Sequence, residues 1–237
     1  MSRKDLIKAI IKDNQNLQLP LLWHRALTIP LHTDKIITLA GVRRSGKTYH
    51  LFELIETVKK NKVNPNHIIY LNFEDERLQL TVDELDLVIQ SYRELYPEND
   101  LSRCYFFFDE IQEVPGWEKF IARLYNSITK HIYITGSNAS LLSKEIATSL
   151  RGRTLTYEVY PLSFKEFVSI TTPHLDPTIS QDKAKIVNLF EQFVMQGGFP
   201  ELVNQDSQFK EKTLQEYFNV MVIRDLIERY TISQGTL

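Results

Sequence analysis

The chain contains a single cysteine, Cys104, among its 237 residues. An intrachain disulfide and a zinc cluster made of cysteines are therefore excluded, and the apolar neighbours of Cys104 indicate a buried core position. The six histidines are scattered without the spacing of metal ligands. No apolar run approaches the roughly 20 residues that span a bilayer, and no signal-type apolar stretch follows the first five residues. These absences favour a cytoplasmic protein without a membrane span.

The chain also lacks an excess of charge of either sign. Lys and Arg together number 28 and Asp and Glu number 30, so the net charge is −2. This balance gives no general attraction to nucleic acid or to an anionic membrane surface. The hydrophobic share of 43% and the charged share of 24% are ordinary for a globular protein. The length suffices for one large domain, or for one domain and a smaller companion.

One short stretch carries a specific signal. Residues 41–48 read Gly-Val-Arg-Arg-Ser-Gly-Lys-Thr and match the phosphate-binding pattern G-x-x-x-x-G-K-[ST] at every fixed position. An apolar run at 36–40 precedes them, and a helical pattern at 47–60 follows. The predicted strand, loop and helix aim free backbone N–H groups and the positive end of the helix dipole at one point, which suits a phosphate. The alternative, a turn beside a surface lysine, leaves both glycines and the Lys-Thr pair to coincidence.

The loop residues have separate expected roles. Lys47 is expected to reach the β- and γ-phosphates of a nucleoside triphosphate, and Thr48 to offer its hydroxyl to Mg²⁺. Glycine is expected where a side chain would block the phosphates or where φ is positive. Arg43 and Arg44 either add positive potential near the nucleotide or are solvated, and the solvated alternative is favoured for at least one of them. The residues expected to hold the nucleotide are Gly41, Arg44, Ser45, Gly46, Lys47 and Thr48.

Apolar segments alternate with helical patterns after the loop, which indicates a parallel sheet covered by helices on both faces. The predicted strands are 36–40, 68–73, 104–108, 132–135 and 154–160. The predicted helices between them are 47–60, 82–95, 117–128 and 139–150. Ligands of such sheets bind at the carboxyl ends of the strands. We therefore expect an α/β fold of the P-loop NTPase type with a parallel five-stranded sheet.

The segments on either side of this core differ from it. An N-terminal helix at 5–12 and an extended lead-in with two prolines occupy residues 1–34, and the P-loop core occupies 35–160. Helical patterns occur at 163–170, 186–195 and 214–230, and the breaks after the first two are Thr171-Thr172-Pro173 and Gly197-Gly198-Phe199-Pro200. Residues 161–237 are therefore expected to form a small helical lid and the start of a C-terminal domain.

Two carboxylates follow the third predicted strand. Asp109 at the strand tip suits Mg²⁺, usually through a bound water, and Glu110 is placed to polarise an attacking water as a general base. The alternative is a strand end that turns into solvent, where acidic residues are common. Glu74 and Asp75 follow the second predicted strand and are weaker candidates for orienting water or the magnesium shell.

Polar residues follow the fourth predicted strand as well. Ser137 and Asn138 can hold the attacking water or sense the γ-phosphate, and they are equally suited to cap the next helix. Arg151 and Arg153 are candidates for reading the γ-phosphate of this chain or of a neighbouring subunit, with solvated loop arginines as the alternative. The expected catalytic residues are Glu110, Asn138, Arg151 and Arg153, and the expected metal ligands are Thr48 and Asp109.

Seven motifs occur in one order along the chain. They are Gly-Val-Arg-Arg-Ser-Gly-Lys-Thr at 41–48, Tyr-Leu-Asn-Phe-Glu-Asp at 70–75, Phe-Phe-Asp-Glu-Ile-Gln at 107–112, Ile-Thr-Gly-Ser-Asn at 134–138, Leu-Arg-Gly-Arg at 150–153, Pro-Leu-Ser-Phe-Lys-Glu-Phe at 161–167 and Gly-Gly-Phe-Pro at 197–200. This combination resembles the prokaryotic AAA-type ATPases that typically carry a C-terminal domain of unknown function.

The resemblance covers about residues 20–230. It implies an AAA+ core with the additional-strand order and Mg-ATP binding. It also implies that the residues named above form the Walker A, Walker B and sensor 1 motifs, and that Arg151 or Arg153 is a functional arginine. It also implies a further domain that begins near Tyr217, of which this chain would contain only the first helix.

The leading hypothesis is an ATPase that converts ATP binding and hydrolysis into a change of shape and acts on an unknown protein partner. Assembly into a homo-oligomer is expected by analogy alone. A nucleotide-binding switch or scaffold with negligible turnover is one alternative. A DNA-associated ATPase is another, which local arginines allow but the net charge does not favour. A small-molecule kinase ranks lowest, because the sequence shows no dedicated acceptor pocket.

Overall fold

The computed structural model describes residues 2–137, 150 and 152–220 of the chain. The chain divides into two compact units, Met1–Val159 and Tyr160–Leu237. The strands, all in the first unit, are β1 Ile36–Gly41, β2 Ile68–Asn72, β3 Tyr105–Asp109, β4 Ile132–Ser137 and β5 Thr154–Glu158. Its helices are α1 Arg3–Gln15, α2 Lys47–Lys60, α3 Asp86–Leu95 and α4 Trp117–Ser127. The second unit contains α5 Phe164–Thr171, α6 Ser180–Gln196 and α7 Ser207–Val220.

The five strands form one sheet in the order β2-β3-β4-β1-β5, and every neighbouring pair is parallel. Strand β4 therefore lies between β1, which leads into the phosphate-binding loop, and β3, which ends at Asp109. In this register Gly41 pairs with Ser137, and Asn72 pairs with Asp109. The predicted parallel five-stranded α/β fold and its additional-strand order are confirmed, and the strand bounds differ from the predicted ones by one or two residues.

Strands β1 to β3 are mostly apolar and buried, as expected where helices cover both faces of a sheet, whereas the edge strand β5 is largely exposed. Phe106 and Phe108 pack into one layer beneath α1, α3 and α4, whereas Phe107 packs into the other layer beneath α2. All three rings are fully buried, and Phe107 stacks on Tyr133 with ring centroids 4.8 Å apart. Cys104 is also fully buried, as its apolar surroundings predicted. Burial of this size is the main stabilising contribution to such a core.

Helix α1 belongs to the first unit rather than standing apart from it. A capping box of Ser2 and Asp5 begins the helix. Ile7, Ile10 and Ile11 on one helical face are almost fully buried in the core layer that contains α3. At the end of α1, the Asn14 side chain donates a hydrogen bond of 2.8 Å to the carbonyl of Tyr70 in β2. Both ends of the helix are thus fixed by contacts that its sequence encodes.

The second unit is helical, as its sequence predicted. Helix α5 begins with a capping box in which the side chains of Ser163 and Glu166 each bond the other's backbone N–H. Phe193 of α6 packs against Phe164 and Phe167 of α5, with ring centroids 5.4–5.5 Å apart.

Helices α6 and α7 begin six and seven residues before the predicted starts at 186 and 214. Their first turns are mostly polar and therefore carry little apolar periodicity. The predicted helix at 139–150, apart from Leu150, and residues 221–230 lie outside the described residues. Within the described parts, none of the helices combines the length and the apolar character needed to cross a bilayer.

Candidate active site

The phosphate-binding loop joins β1 to α2 and includes two left-handed residues. Arg44 has φ of 64° and Gly46, the N-cap of α2, has φ of 101°. Because glycine carries no side chain to cap the helix, the first N–H groups of α2 are left for a ligand. The guanidinium of Arg25, far from the motif in sequence, donates a 3.3 Å hydrogen bond to the carbonyl of Ser45. The loop conformation therefore depends on the lead-in segment as well as on the motif.

The two fixed glycines of the loop are required for different reasons. Gly46 supplies the positive φ that the sequence predicted. At Gly41, an added Cβ would lie 2.3 Å from the carbonyl oxygen of Val159 and 2.7 Å from Oγ of Ser45. The close approach of the chain after β5, rather than a phosphate or a positive φ, is what this structure shows to require glycine at position 41.

Lys47 is almost completely buried, with 4% of its surface exposed. Its Nζ donates hydrogen bonds to the carbonyl oxygens of Gly41 and Val42, at 3.2 and 3.3 Å, and lies 3.4 Å from Oε1 of Glu110. A buried ammonium needs such partners, because leaving water without them is costly. The structure thus pairs the cation predicted to bind phosphate with the carboxylate predicted to act as the base.

Asp109 is buried at the tip of β3, with 1% of its surface exposed. Its carboxylate accepts hydrogen bonds from the side chains of Thr135, Thr48 and Tyr70, the last at 3.0 Å. Burial raises the pKa of Asp109, and these hydrogen bonds oppose the rise only in part. Burial and the neighbouring carboxylate of Asp109 also raise the pKa of Tyr70, so its hydroxyl remains a donor.

The predicted metal ligands Thr48 and Asp109 are therefore in direct contact. A hydroxyl and a carboxylate are oxygen donors of the kind that Mg²⁺ prefers, and its usual sites combine one or two such groups with waters and substrate phosphates. A divalent cation beside Asp109 would also favour the ionised carboxylate that burial disfavours. The side chains present at this strand end fit Mg²⁺.

Glu110 follows β3 in a left-handed conformation, with φ of 50°. Its backbone N–H donates a 2.9 Å hydrogen bond to Oγ1 of Thr135. One carboxylate oxygen, Oε1, faces Lys47, and the other, Oε2, accepts a 2.6 Å hydrogen bond from Nε2 of Gln112. Because a non-glycine residue occupies this conformation at a cost, the surrounding contacts are needed to hold it.

Sequence reasoning missed three residues that shape this site, Tyr70, Gln112 and Thr135. Thr135 is fully buried in β4, and its hydroxyl donates to Asp109 while it accepts from the N–H of Glu110. A polar residue inside an otherwise apolar strand beside β3 is the signal that could have identified it. Thr135 ties both carboxylate residues to the neighbouring strand.

Two of the other predicted site residues, Ser137 and Arg153, lie within the part of the chain that the structure describes. Ser137 ends β4 opposite Gly41 in backbone register, whereas Asn138 and Arg151 lie outside the described residues. The carbonyl of Arg153 accepts a 2.8 Å hydrogen bond from the N–H of Ile36, at the amino end of β1. The guanidinium of Arg153 lies 6.0 Å from the ring centroid of Tyr125.

That position separates Arg153 from the phosphate-binding loop by the length of β1, roughly 17 Å at about 3.3 Å per residue. The structure therefore does not bring Arg153 together with Lys47 within one chain. Of the remaining candidates, Glu74 pairs with Arg43 of the loop, Nη1 to Oε1 at 3.5 Å.

Replacing Thr135 with valine is expected to destabilise the protein by about 1–3 kcal/mol, because the carboxylate of Asp109 loses a donor and the N–H of Glu110 loses its acceptor. Thr38 in β1 provides a matched control, since it is equally buried but its hydroxyl has no hydrogen-bond partner in the described part of the chain. Thr38→Val is expected to be neutral or stabilising. Urea unfolding of both variants checks the contrast, and equal losses would contradict the assigned role of Thr135.

The geometry agrees with what comparison with known proteins finds. A family model described as AAA domain matches residues 33–168, a little over half of the chain. The chain therefore belongs to the AAA family of P-loop ATPases.

Its relatives include the uncharacterized protein MJ1544 of Methanocaldococcus jannaschii. It is 40% identical over 236 residues, which are 98% of this chain and 51% of that protein. An uncharacterized protein of Haemophilus influenzae is 39% identical over 197 residues, covering 83% of this chain and 47% of that protein. The chain thus spans about half the length of these relatives.

Solved structures also align with the chain, at low similarity. AMPPCP-bound DnaA from Aquifex aeolicus aligns with a TM-score of 0.45 and 16% identity, covering 86% of this chain and 64% of that one. Cdc6p from Pyrobaculum aerophilum aligns with a TM-score of 0.40 and 19% identity, covering 77% of this chain and 48% of that one.

Proposed function

We propose that this chain binds Mg-ATP at the loop 41–48 and hydrolyses its γ-phosphate, using the energy for a change of shape. The observation that carries the proposal is the cluster at one edge of the sheet. The phosphate-binding Lys47 lies 3.4 Å from the candidate base Glu110, and the buried candidate metal ligand Asp109 contacts Thr48. Membership of the AAA family supports nucleotide binding, and the cluster of Lys47, Asp109 and Glu110 supports hydrolysis.

In the proposed reaction, the N–H groups at the start of α2 bind the phosphates and Lys47 neutralises part of their charge. Thr48 and Asp109 would hold Mg²⁺, which supplies further positive charge for the phosphate oxygens when bound. Glu110 accepts a proton from a water whose oxygen attacks the γ-phosphorus. The bond from that phosphorus to the bridging oxygen breaks, and ADP and inorganic phosphate leave.

Binding and catalysis are linked through Lys47 in this proposal. Its Nζ is held by Glu110 and by the carbonyls of Gly41 and Val42. Phosphate oxygens are better partners for this ammonium than neutral carbonyls, since hydrogen bonds between two ionised groups are stronger. When Lys47 turns to the phosphates, Glu110 loses its cation and its Oε1 becomes free to accept a proton.

The same pairing favours one alternative, a nucleotide-binding switch with negligible turnover. If the carboxylate of Glu110 stays bound to Lys47, the base is occupied and ATP is held without hydrolysis. A role for Arg151 or Arg153 in reading the γ-phosphate remains a proposal. If Arg153 has this role, it reads the nucleotide of a second copy of the chain. Within its own chain it lies at the amino end of β1, whereas the phosphate-binding loop follows the carboxyl end of that strand.

Binding and turnover measured on the same sample separate these functions. Mg-ATP and a non-hydrolysable ATP analogue are both expected to raise the melting temperature, whereas phosphate is released only from ATP and only when Mg²⁺ is present. Chelation of Mg²⁺ with EDTA is expected to stop the release. A thermal shift with no phosphate release supports the switch, and the absence of any shift contradicts both functions.

A further inference from the structure

We propose that Gln112 is a positioning residue, which holds the carboxylate of Glu110 in its catalytic orientation once ATP has drawn Lys47 away. This inference rests on the proposed ATP hydrolysis and goes beyond it by assigning a role outside the phosphate-binding and carboxylate motifs. It is carried by the contacts of the Gln112 amide, by an unpartnered atom of that amide, and by the turn that connects Gln112 to Glu110.

The first observation is the direction of the amide. Nε2 of Gln112 donates a 2.6 Å hydrogen bond to Oε2 of Glu110. The opposite amide orientation would bring two acceptor oxygens to this distance, so the carboxylate decides which end of the amide faces it. A hydrogen bond to an ionised acceptor is stronger than a bond between neutral groups.

The second observation is the other end of the same amide. Oε1 of Gln112 is buried and has no hydrogen-bond partner among the residues that the structure describes. A buried acceptor without a partner destabilises the folded state, because it has lost its hydrogen bonds to water. A glutamine kept for folding alone would be expected to satisfy both ends of its amide. This one satisfies only the end that contacts the candidate base, which favours a functional role.

The third observation is the short connection between the two residues. Gln112 lies in a 3₁₀ turn, Ile111–Glu113, whose N-cap is Glu110 itself. The side chain of Ile111 is fully buried, and the N–H of Glu113 donates a 3.1 Å hydrogen bond to the carbonyl of Glu110. The turn is therefore anchored in the core, and it fixes the amide relative to the carboxylate.

Two different residues contact the two oxygens of the Glu110 carboxylate. Lys47 holds Oε1 and Gln112 holds Oε2. When Lys47 turns to the phosphates, Oε1 is released while Oε2 stays bound, so the carboxylate keeps its orientation and presents Oε1 to the attacking water. Without Gln112 the carboxylate could rotate, and misplacement of a catalytic group by about 1 Å can cost 100-fold in rate.

Gln112→Met tests this role, because methionine has a similar length but neither donates to Glu110 nor buries an unpartnered oxygen. We expect kcat for ATP to fall about 10- to 100-fold, in line with the loss of a hydrogen bond to a charged group. The Kd for a fluorescent ATP analogue is expected to stay within about twofold, because Gln112 is not assigned to nucleotide binding. The melting temperature is expected to change little, because the loss of the hydrogen bond to Glu110 and the removal of the unpartnered oxygen act in opposite directions.

Gln90→Met is the matched control. Gln90 is also partly buried, and its amide donates a 2.8 Å hydrogen bond to Oδ2 of Asp86 on the surface helix α3. Its substitution is expected to leave kcat unchanged. Gln112→Glu is expected to lose at least as much activity as Gln112→Met, because it places a second negative charge against Glu110.

The outcomes distinguish the inference from the proposed function. If the unmodified chain releases no phosphate from Mg-ATP, the proposed function fails and the role of Gln112 fails with it. If the unmodified chain hydrolyses ATP and Gln112→Met matches its kcat, the inference alone is overturned. A Gln112→Met variant that loses kcat and melting temperature together would also overturn the inference, since that result indicates a structural role.

Discussion

Lys47→Met is expected to abolish the stabilisation of the protein by Mg-ATP. The ammonium of Lys47 is buried in the phosphate-binding loop, where two loop carbonyls and Glu110 hold it. At an ATP concentration of about 100 times Kd, the unmodified protein gains roughly 2.7 kcal/mol. For a chain of this length that gain corresponds to a rise of about 5–10 °C in melting temperature, which differential scanning fluorimetry measures directly.

The control for this substitution is Lys60→Met, at the far end of the same helix. Lys60 is exposed in the last turn of α2 and is expected to leave the ATP-dependent shift intact. The shift is the difference between melting temperatures with and without ATP, so a general loss of stability in Lys47→Met does not affect the comparison. If Lys47→Met retained the full shift, the phosphate-binding role of this lysine would be wrong.

Asp109→Asn is expected to remove Mg²⁺-dependent hydrolysis and yet make the protein more stable. Burial raises the pKa of Asp109, which means that the folded protein disfavours its ionised form. Asparagine has nearly the same shape and carries no charge, so the cost of burying the carboxylate disappears. We therefore expect a higher melting temperature for Asp109→Asn at neutral pH. A residue selected only for folding would not be improved by this change.

The gain should depend on pH in a defined direction. A carboxyl group whose pKa is raised on folding stabilises the folded state below its unfolded pKa, near 3.8, and loses that contribution as pH rises through the folded value. The difference in stability between Asp109→Asn and the unmodified protein is therefore largest at neutral pH. It should shrink as the pH is lowered through the raised pKa of Asp109.

Asp86→Asn is a control for which we expect the opposite change in stability. Hydrogen bonds from Gln90 and Arg123 outweigh partial burial and hold the pKa of Asp86 below its usual value. This carboxylate is therefore favoured by folding in its ionised form, and its substitution is expected to lower the melting temperature slightly. If Asp109→Asn also lowered the melting temperature at neutral pH, the burial cost assigned to Asp109 would be contradicted.

Much of the fold could be predicted from the sequence because its signals are local. The apolar strands, the helical patterns between them and the phosphate-loop pattern each depend on residues that are close in the chain. The parallel order then follows from general rules for alternating strands and helices. The starts of α6 and α7 were predicted too late, because their first turns carry polar residues and the apolar spacing begins only afterwards.

The candidate site was predictable only in part, because its supporting contacts depend on register across the sheet. Thr135 acts through its position on β4 beside Asp109, and Tyr70 through the neighbouring β2. Arg25 reaches the loop from the lead-in segment. No pattern within a short stretch encodes such contacts. Gln112 lies in the motif at 107–112, but its contact with Glu110 depends on the geometry of the 3₁₀ turn and is not evident from the sequence.

Arg153 has a placement that the sequence could have predicted. It directly precedes the predicted strand at 154–160, and family resemblance implies a functional arginine at 151 or 153. In a parallel sheet the residue before a strand lies at the amino end of the strands, opposite the end where ligands bind. The structure places Arg153 there, at the amino end of β1 and away from the loop of its own chain.

The central claim is that Glu110 is the base for ATP hydrolysis at the site formed by Lys47 and Asp109. Single-turnover hydrolysis of Mg-ATP by the unmodified chain and by Glu110→Gln, with ATP binding measured in parallel, tests it most directly. Loss of a general base is expected to slow hydrolysis by about 10²–10⁴-fold while ATP still binds. Hydrolysis by Glu110→Gln at the rate of the unmodified chain would contradict the claim.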